Sequence, residues 1–516
     1  MRVMPRFSPP TGPVPNHREA RPGTRIRSGQ VQSGHRRRTV DRVSLTTNEP
    51  APADTTVGAL RADGHVQRSV KAEIRHNLLE LLRSGRPRFP GMIGFEDTVL
   101  PHVERALLAG HDMVLLGERG QGKTRLIRTL VGLLDEWTPV VAGCEINDHP
   151  YAPVCVRCRR LAAELGDELP VTWRHREERF GEKLATPDTS VGDLIGDVDP
   201  IKVAEGRTLG DPETVHFGLV PRTNRGIFAI NELPDLAERI QVALLNVLEE
   251  RDVQIRGYAL RLPLDVLLVA SANPEDYTNR GRIITPLKDR FGAEIRTHYP
   301  LALEDELELI RQEAAVAELN AEVPDHLLEV MARFTRLVRD SNAVDARSGV
   351  SARFAIAGAE TIAAGAVRRA ALTGEQDAVA RVCDLPAVVP AVMGKVEFEV
   401  SEEGREQEVL EHLLRRATAE TFRRTLGGAD LSGLLEKFDQ GAVVESGELV
   451  PAAELLRRIG QVPGLGKIVQ RLGMSGESPG QAAAAVEFAL EGLFLTRRLS
   501  KDVASDGQGG TATYRL

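Results

Sequence analysis

This chain contains a glycine-rich run, Gly117-Glu118-Arg119-Gly120-Gln121-Gly122-Lys123-Thr124. It follows the apolar run Met113–Leu116 and opens into a helical pattern, and this strand–loop–helix context marks G-x-x-x-x-G-K-[ST] as a phosphate-binding loop. The glycines let backbone N–H groups turn toward phosphates, where a helix N-terminus adds positive potential. We therefore predict that the run binds a nucleoside triphosphate. Lys123 would neutralise β/γ-phosphate charge, and the Thr124 hydroxyl would ligate Mg²⁺.

Two further apolar runs end in polar residues that suit the chemistry of a triphosphate. Gly226–Ala229 leads through Ile230 to Asn231 and Glu232. Buried parallel strands have nearly continuous apolar sequences, and ligands bind at the carboxyl ends of such strands. Glu232 is placed to orient and deprotonate an attacking water, while Asn231 occupies the position where an Asp usually helps hold Mg²⁺. The alternative is an ordinary core strand with a polar end.

The third run, from Val266, ends at Asn273, which can hydrogen-bond a γ-phosphate or the water. Beyond it, Arg290 suits a charge donor to the nucleotide of a neighbouring subunit, an arginine finger worth about 10³-fold or more in rate. Arg353, in Ser351-Ala352-Arg353, opens a helical segment. Spacing alone favours a surface arginine there.

The order of these motifs resembles the AAA+ ATPases, and more narrowly the magnesium chelatase ATPase (I) subunit and the related MoxR-type group. The resemblance covers residues 90 to about 370. It implies that Gly117–Thr124 is the Walker A loop, that Ile227–Glu232 is the Walker B strand, and that Asn273 is sensor 1. It further implies that Arg290 is the arginine finger, that Arg353 is the sensor 2 arginine, and that residues 253–262 form the family's β-hairpin before sensor 1.

One position departs from the family pattern, because Walker B usually reads Asp-Glu and this chain has Asn231-Glu232. Asn keeps an oxygen acceptor for a Mg²⁺-bound water but loses a unit of negative charge. We therefore expect weaker Mg²⁺ binding or slower turnover, and an Asn231→Asp variant with equal or higher activity.

A cysteine cluster lies outside these motifs, with Cys144, Cys155 and Cys158 in the spacing C-x₄-H-x₅-C-x₂-C around His149. Three thiols and one imidazole are enough for a tetrahedral structural Zn²⁺. The alternative is three reduced thiols in an insertion, and the spacing leaves both open. The lone Cys383 is predicted to be a core residue.

Composition limits the remaining possibilities. Residues 1–42 hold ten Arg, no Lys and two acidic residues, so the rest carries about −16, with 56 basic against 72 acidic residues. This predicts no general nucleic-acid binding by the body of the chain. No apolar run approaches the ~18 residues of a membrane span, and no secretory h-region is present. Cytoplasmic localisation is therefore expected.

The expected fold class is α/β: an AAA+ P-loop parallel sheet flanked by helices, followed by an α-helical lid and further C-terminal helices. We predict a disordered Arg/Pro/Gly-rich tail over 1–60. The alternatives for this tail are a transit peptide, a nucleic-acid-binding arm or a misassigned start, and we favour a functionally neutral tail. The nucleotide-binding domain is predicted over 61–302 with a Cys-containing insertion at about 142–190, the lid over 303–375 and a helical C-terminal region over 376–516.

The resemblance implies an ATP- and Mg²⁺-dependent motor that forms a homo-oligomeric, hexameric ring and remodels a partner protein with a von Willebrand-type domain. A second hypothesis is a genuine magnesium chelatase subunit acting in Mg²⁺ insertion into protoporphyrin. A third is an ATP-binding switch or scaffold with little hydrolysis, motivated by Asn231. An enhancer-binding transcription activator is disfavoured, because the sequence lacks a G-A-F-T-G-A loop and no helix-turn-helix reads clearly at the C-terminus.

Overall fold

A five-stranded parallel sheet carries the phosphate-binding loop in the computed structural model, which describes residues 50–198, 201, 204, 214–249, 262–274, 282–345, 348–504 and 511–516. Its strand order is β10-β2-β9-β8-β5. These strands are β2 (Met113–Leu116), β5 (Phe180–Leu184), β8 (Gly226–Asn231), β9 (Val266–Ala272) and β10 (Ala293–Arg296). All four neighbouring pairs are parallel, so their carboxyl ends lie along one edge. The α/β fold class predicted from sequence is confirmed.

Both faces of this sheet are buried, because successive side chains of each strand point to opposite sides. Val114 of β2 and Phe228 of β8 pack into one apolar core. Leu115 and Ile227, their neighbours in sequence, pack into the other. Helices cover both sides, as expected for a parallel sheet of nearly continuous apolar strands.

The helices of this α/β part are mostly short and capped by polar residues or glycine. Thr56 caps α1 and Ser69 caps α2 through side-chain hydrogen bonds. These helices are α1 (Val57–Ala62), α2 (Val70–Ser84), α3 (Val99–Ala109), α4 (Lys123–Thr129), α5 (Val156–Leu165), α6 (Val191–Leu194), α7 (Leu219–Arg222), α8 (Glu238–Glu249) and α9 (Thr285–Arg290).

The segment predicted as an insertion at about 142–190 contributes β5, an edge strand of the central sheet. β5 pairs in parallel with β8, with Leu184 opposite Asn231. The rest of the segment belongs partly to a small antiparallel sheet, ordered β1-β4-β3. Its strands are β1 (Thr55–Thr56), β3 (Trp137–Val141) and β4 (Pro170–His175); β6 (Gly196–Val198) and β7 (Val215–Phe217) form a separate antiparallel pair.

The chain beyond the sheet is mainly helical, and one apolar core joins the predicted lid to the predicted C-terminal region. Phe334 and Phe354 from the lid share this core with Phe422 and Phe488. The helices are α10 (Leu303–Glu313), α11 (Asp325–Arg339), α12 (Ala352–Thr373), α13 (Val388–Val392), α14 (Glu406–Leu426), α15 (Ser432–Asp439), α16 (Ala452–Ile459), α17 (Leu465–Arg471) and α18 (Pro479–Leu495).

Short strands accompany these helices. β11 (Ala321–Glu322) pairs with β12 (Ala378–Val379). An antiparallel sheet, absent from the sequence prediction, is formed by β13 (Val444–Ser446), β14 (Ser500–Ala504) and β15 (Thr511–Arg515).

All of the predicted β-hairpin at 253–262 except Leu262, and most of the predicted tail at 1–60, lie outside the described residues. Of the helices that the structure does describe, none combines the length and apolar character needed to cross a membrane.

Candidate functional site

The phosphate-binding loop spans the gap between the end of β2 and the start of α4. Gly120 and Gly122 both adopt positive φ, at 75°. At Gly120 the need for glycine is also steric, because an added Cβ would lie 2.2 Å from Ser351 Oγ. Lys123, the first residue of α4, is buried. The loop therefore has the backbone freedom and the helix N-terminus that a phosphate cradle requires.

A chain of hydrogen bonds joins this lysine to the predicted catalytic carboxylate. Lys123 Nζ donates to the carbonyls of Gly117 and Glu118, and to Asn273 Oδ1 at 2.7 Å. Asn273 Nδ2 in turn donates to Glu232 Oε2 at 2.8 Å. Lys123 opens α4, Glu232 follows β8 and Asn273 follows β9, so the structure brings residues that are far apart in sequence into direct contact.

A second chain of hydrogen bonds starts from the neighbouring residue of α4. Thr124 Oγ1 donates to Asn231 Oδ1 at 3.3 Å, and Ser271 Oγ donates to the same oxygen at 3.2 Å. Ser271 Oγ also accepts from the backbone N–H of Glu232, at 3.3 Å. Glu232 has a φ of 57°, in the left-handed region, at the end of β8. Ser271 therefore fixes the turn that presents the carboxylate.

Glu182 is an acidic residue of this site that the sequence prediction missed, as it also missed Ser271. Its Oε1 accepts a hydrogen bond of 2.6 Å from Asn231 Nδ2, and both its oxygens accept from Arg128 of α4, at 2.9 and 3.1 Å. These bonds raise the pKa of Arg128 above its ordinary value. In the sequence, Glu182 is a charged residue within a short segment, and this pattern is typical of an exposed position.

The residues at these strand ends suit a hard cation. Thr124 offers a hydroxyl, Asn231 an amide oxygen, and Glu182 and Glu232 offer carboxylates, all oxygen donors of the kind that Mg²⁺ prefers. A separate open cleft of about 340 Å³ is lined by Gly117 and Gln121 of the loop together with Lys288 and Thr297, and none of the four oxygen donors lines it. The donor set includes Thr124 in the first turn of α4, and it therefore suits a Mg²⁺ ion held at the start of that helix.

The predicted lid touches the loop directly. Ser351, the residue that caps α12, lies against Gly120. Tyr299, just before the predicted lid, also contacts the loop, because its Oη donates to the carbonyl of Arg119 at 2.8 Å. Arg353 follows in the first turn of α12, two residues after Ser351, and its side chain is exposed. The structure thus places the helix that carries Arg353 next to the phosphate-binding loop.

Arg290 ends α9 and lies on the protein surface. Its guanidinium is 38% exposed and lies 2.8 Å from Asp289 Oδ2. The side chain is therefore accessible to a second protein, and the role of Arg290 as an arginine finger stays a prediction.

The cysteine cluster forms in the structure, but its fourth member differs from the sequence prediction. Cys144, Cys155 and Cys158 gather with Asp148, and their ligand atoms all lie within 4.8 Å of one another. His149 Nδ1 instead accepts backbone hydrogen bonds from Tyr151 and Ala152, at 3.0 and 3.2 Å. Burial lowers the pKa of His149 to about 4.

The three thiols interact strongly with one another. Hydrogen bonds from Cys155 and Cys158 lower the pKa of Cys144 to about 3, whereas the bond to Cys144 raises the pKa of Cys155 to about 12. Hydrogen bonds with Cys144 and Cys155 also raise the pKa of Cys158. Hydrogen bonding within the cluster therefore favours the thiolate form of Cys144 over those of Cys155 and Cys158.

Comparisons with known proteins agree with the motif order. The chain is 32% identical over 212 residues to the magnesium-chelatase 38 kDa subunit of Acidiphilium rubrum, covering 39% of this chain and 56% of that protein. It is 31% identical over 189 residues to magnesium-chelatase subunit ChlI of Anabaena variabilis, covering 36% and 52%. The chain thus spans about half the length of these curated relatives. A family model described as the sigma-54 interaction domain matches residues 206–290.

Among solved structures, the chain is similar to one from the complex between subunits BchI and BchD of magnesium chelatase. That likeness has 23% identity, a TM-score of 0.33 and coverage of 63% of this chain and 98% of the other. Thermotoga maritima RuvB gives a TM-score of 0.35 at 14% identity, covering 81% and 93%. Because both TM-scores are this low, the structural comparison adds no support to the sequence comparison. The sequence relationship therefore shows similarity, over about 190 to 210 residues, to the magnesium-chelatase 38 kDa and ChlI subunits.

Proposed function

We propose that this protein is an ATP-hydrolysing AAA+ motor. The observation that carries the proposal is the hydrogen-bond chain from Lys123 through Asn273 to Glu232, because it links a phosphate-binding cation to a carboxylate that can activate water. In the reaction, the water oxygen bonds to the γ-phosphorus as the bond to the β,γ-bridging oxygen breaks, and Glu232 accepts the water proton. The products are ADP and phosphate.

The residues divide this work between them. Lys123 and the loop N–H groups bind the β/γ-phosphates, while Asn273 orients the γ-phosphate or the water. Thr124 and Asn231, the latter through a water, would hold Mg²⁺ with help from Glu182. A Mg²⁺ ion held there would neutralise negative charge on the phosphates. Arg353, on the helix beside the loop, would sense the same nucleotide.

We further propose that the active form is a homo-oligomeric ring, hexameric as in the related AAA+ proteins. The support is the exposed position of Arg290, which suits a finger that acts on the nucleotide of the next subunit. Each complete site would then combine Lys123 and Glu232 of one subunit with Arg290 of its neighbour. Remodelling of a partner with a von Willebrand-type domain belongs to the same proposal and rests on the family resemblance.

A mixing experiment tests the shared site. Glu232→Gln is expected to lower kcat about 10²-fold or more, as for loss of a general base, and Arg290→Ala about 10³-fold or more. Equal mixing of the two inactive variants should recover up to about a quarter of the wild-type rate, because a random ring contains that fraction of intact interfaces. Arg415→Ala, an exposed arginine on α14, is the control. No recovery on mixing refutes the shared site.

Partner capture tests the motor function separately. A Glu232→Gln chain with ATP is expected to retain its partner, since binding persists while turnover stops. The matched control is Glu232→Gln combined with Lys123→Ala, which removes the phosphate-binding cation. A partner that is retained equally by both variants would contradict nucleotide-dependent remodelling.

The relatives' names favour a second candidate, a subunit of a magnesium chelatase acting on a porphyrin. Purified chain combined with the other chelatase subunits should then support Mg²⁺ insertion into protoporphyrin, and Glu232→Gln should not. A third candidate, an ATP-binding switch, predicts tight ATP binding with a wild-type rate close to that of Glu232→Gln. The short sigma-54 match raises the activator hypothesis again, but the missing G-A-F-T-G-A run still disfavours it.

A further inference from the structure

We propose that Cys144, Asp148, Cys155 and Cys158 form a structural zinc site. Their four ligand atoms lie within 4.8 Å of one another. A tetrahedral ion with Zn–S bonds of ≈ 2.3 Å separates its sulfur ligands by about 3.8 Å. A small decrease in the distances between the ligand atoms is enough to reach this value, so the cluster has the size of a site for one ion.

The chemistry of the donors points to zinc. Three thiol sulfurs and one carboxylate oxygen select a borderline-soft ion with tetrahedral preference, whereas Mg²⁺ and Ca²⁺ take oxygen ligands. Cys144, Asp148 and Cys158 are all buried. A buried group of this composition suits a closed structural site.

The backbone already holds the ligands in place. Asp148 Oδ1 and Oδ2 accept hydrogen bonds from the N–H groups of Val154 and Cys155, at 3.0 and 2.9 Å. Cys144 Sγ accepts from the N–H of Asp148, and Cys155 Sγ accepts from the N–H of Cys158 at the start of α5. Such outer contacts orient metal ligands and are a regular part of metal sites.

The loop that carries the site supports the beginning of the Walker B strand. Asn147 Nδ2 donates to the carbonyl of Arg222 at 2.9 Å, and the carbonyl of Ile146 accepts from Asn224 Nδ2 at 3.1 Å. Asn224 Oδ1 accepts in turn from the N–H of Asp265, just before β9. The zinc would therefore stabilise the ends of β8 and β9 that lie opposite the nucleotide site, without taking part in ATP chemistry.

Metal analysis of the purified full-length chain tests the site. We expect about one Zn²⁺ per chain after exchange into metal-free buffer. A folded wild-type chain, grown with zinc and checked by circular dichroism, that holds less than about 0.2 equivalents overturns the proposal. Reconstitution with Co²⁺ should give the visible bands of a tetrahedral site and a thiolate charge-transfer band. Bound Co²⁺ without a thiolate band would also overturn it.

Zinc binding by single-substitution variants identifies which residues are ligands. Cys158→Ser should lose most of the zinc, while Cys383→Ser, a thiol outside the cluster, should retain it. Asp148→Asn should bind zinc at least about tenfold more weakly, since loss of even an outer partner typically costs 10–100-fold. His149→Ala should match the wild type. Zinc lost from His149→Ala and kept by Asp148→Asn would overturn the assignment of Asp148.

Discussion

Asn231 donates a hydrogen bond of 2.6 Å from its amide nitrogen to the carboxylate of Glu182. The unit of charge that Asn231 lacks is thus present on the adjacent strand, one side chain away. An Asp at 231 would instead place two carboxylates in contact, and such pairs repel unless they share a proton. Asn231 and Glu182 therefore act as a unit, in which the amide donates to a carboxylate that also accepts two hydrogen bonds from Arg128.

This pairing predicts the result of a charge exchange. The double variant Asn231→Asp/Glu182→Gln keeps one donor and one acceptor but moves the charge toward Thr124. We expect an ATPase rate equal to or above that of the wild type, with half-maximal Mg²⁺ concentration lowered by roughly threefold to tenfold, because the charge lies closer to the metal. Steady-state ATPase assays over a Mg²⁺ titration measure both quantities.

The single variants separate the effect on stability from the effect on Mg²⁺ binding. Asn231→Asp should keep equal or higher activity at saturating Mg²⁺, yet unfold at lower temperature without Mg²⁺. Glu182→Gln should need more Mg²⁺, whereas Glu178→Gln, on the surface beside Arg174, should not. If the double exchange abolished hydrolysis, the metal-site role proposed for position 231 would be wrong.

Contact between the lid and the loop gives a second prediction. A Cβ at Gly120 would lie 2.2 to 2.6 Å from atoms of Ser351, in addition to the strain of a φ of 75°. Gly120→Ala should therefore weaken ATP binding at least about tenfold, the factor for 1.4 kcal/mol. Gly374→Ala has a similar φ of 73° but nothing within 4 Å, so it should cost only about 1–2 kcal/mol of stability. Equal ATP affinity in both variants would show that the contact has no role.

The strand ends of this site were predictable from sequence because parallel strands deliver their carboxyl-end residues to one edge. Asn231, Glu232 and Asn273 follow long apolar runs that leave little doubt about strand identity. Glu182 was not predictable, since β5 has only five residues, two of them charged, and it becomes a strand by pairing with β8. Its position depends on tertiary register, which one sequence does not encode locally.

The cysteine loop shows a related limit. Spacing identified the three thiols, but the choice between Asp148 and His149 depends on which side chain turns inward. Backbone N–H groups of Tyr151 and Ala152 hold the His149 ring at the loop tip. Those of Val154 and Cys155 hold the Asp148 carboxylate beside the sulfurs. Adjacent residues with different backbone partners cannot be told apart by motif spacing.

A third prediction concerns Asn273, the link between Lys123 and Glu232. Asn273→Ala should lower kcat about 10²-fold, as when one preorganised donor is removed, while ATP affinity stays within about threefold because the loop and Lys123 remain. Single-turnover assays and equilibrium binding of ATP separate the two. Ser271→Ala, which loses the bonds to Asn231 and Glu232, should show a smaller fall in kcat of the same kind. A loss of affinity without a loss of kcat would contradict the role of Asn273.

The last prediction concerns acid stability of the helical core. His326 is buried against Phe488, with ring centroids 4.5 Å apart, and neither ring nitrogen has a hydrogen-bond partner among the described residues. Burial lowers its pKa from 6.5 to about 3. The unfolded chain therefore binds a proton below pH 6.5 that the folded chain rejects, so stability falls as pH drops from 6.5 toward 3.

Between pH 7 and pH 5 this histidine should cost the fold about 2 kcal/mol, at 1.36 kcal/mol for each unit below 6.5. His326→Leu removes the titrating group and keeps an apolar side chain, so its urea-unfolding midpoint should fall less over this interval than that of the wild type. His412→Gln, at an exposed site on α14, should behave like the wild type. Parallel pH dependence in all three chains would show that His326 is not the source of acid sensitivity.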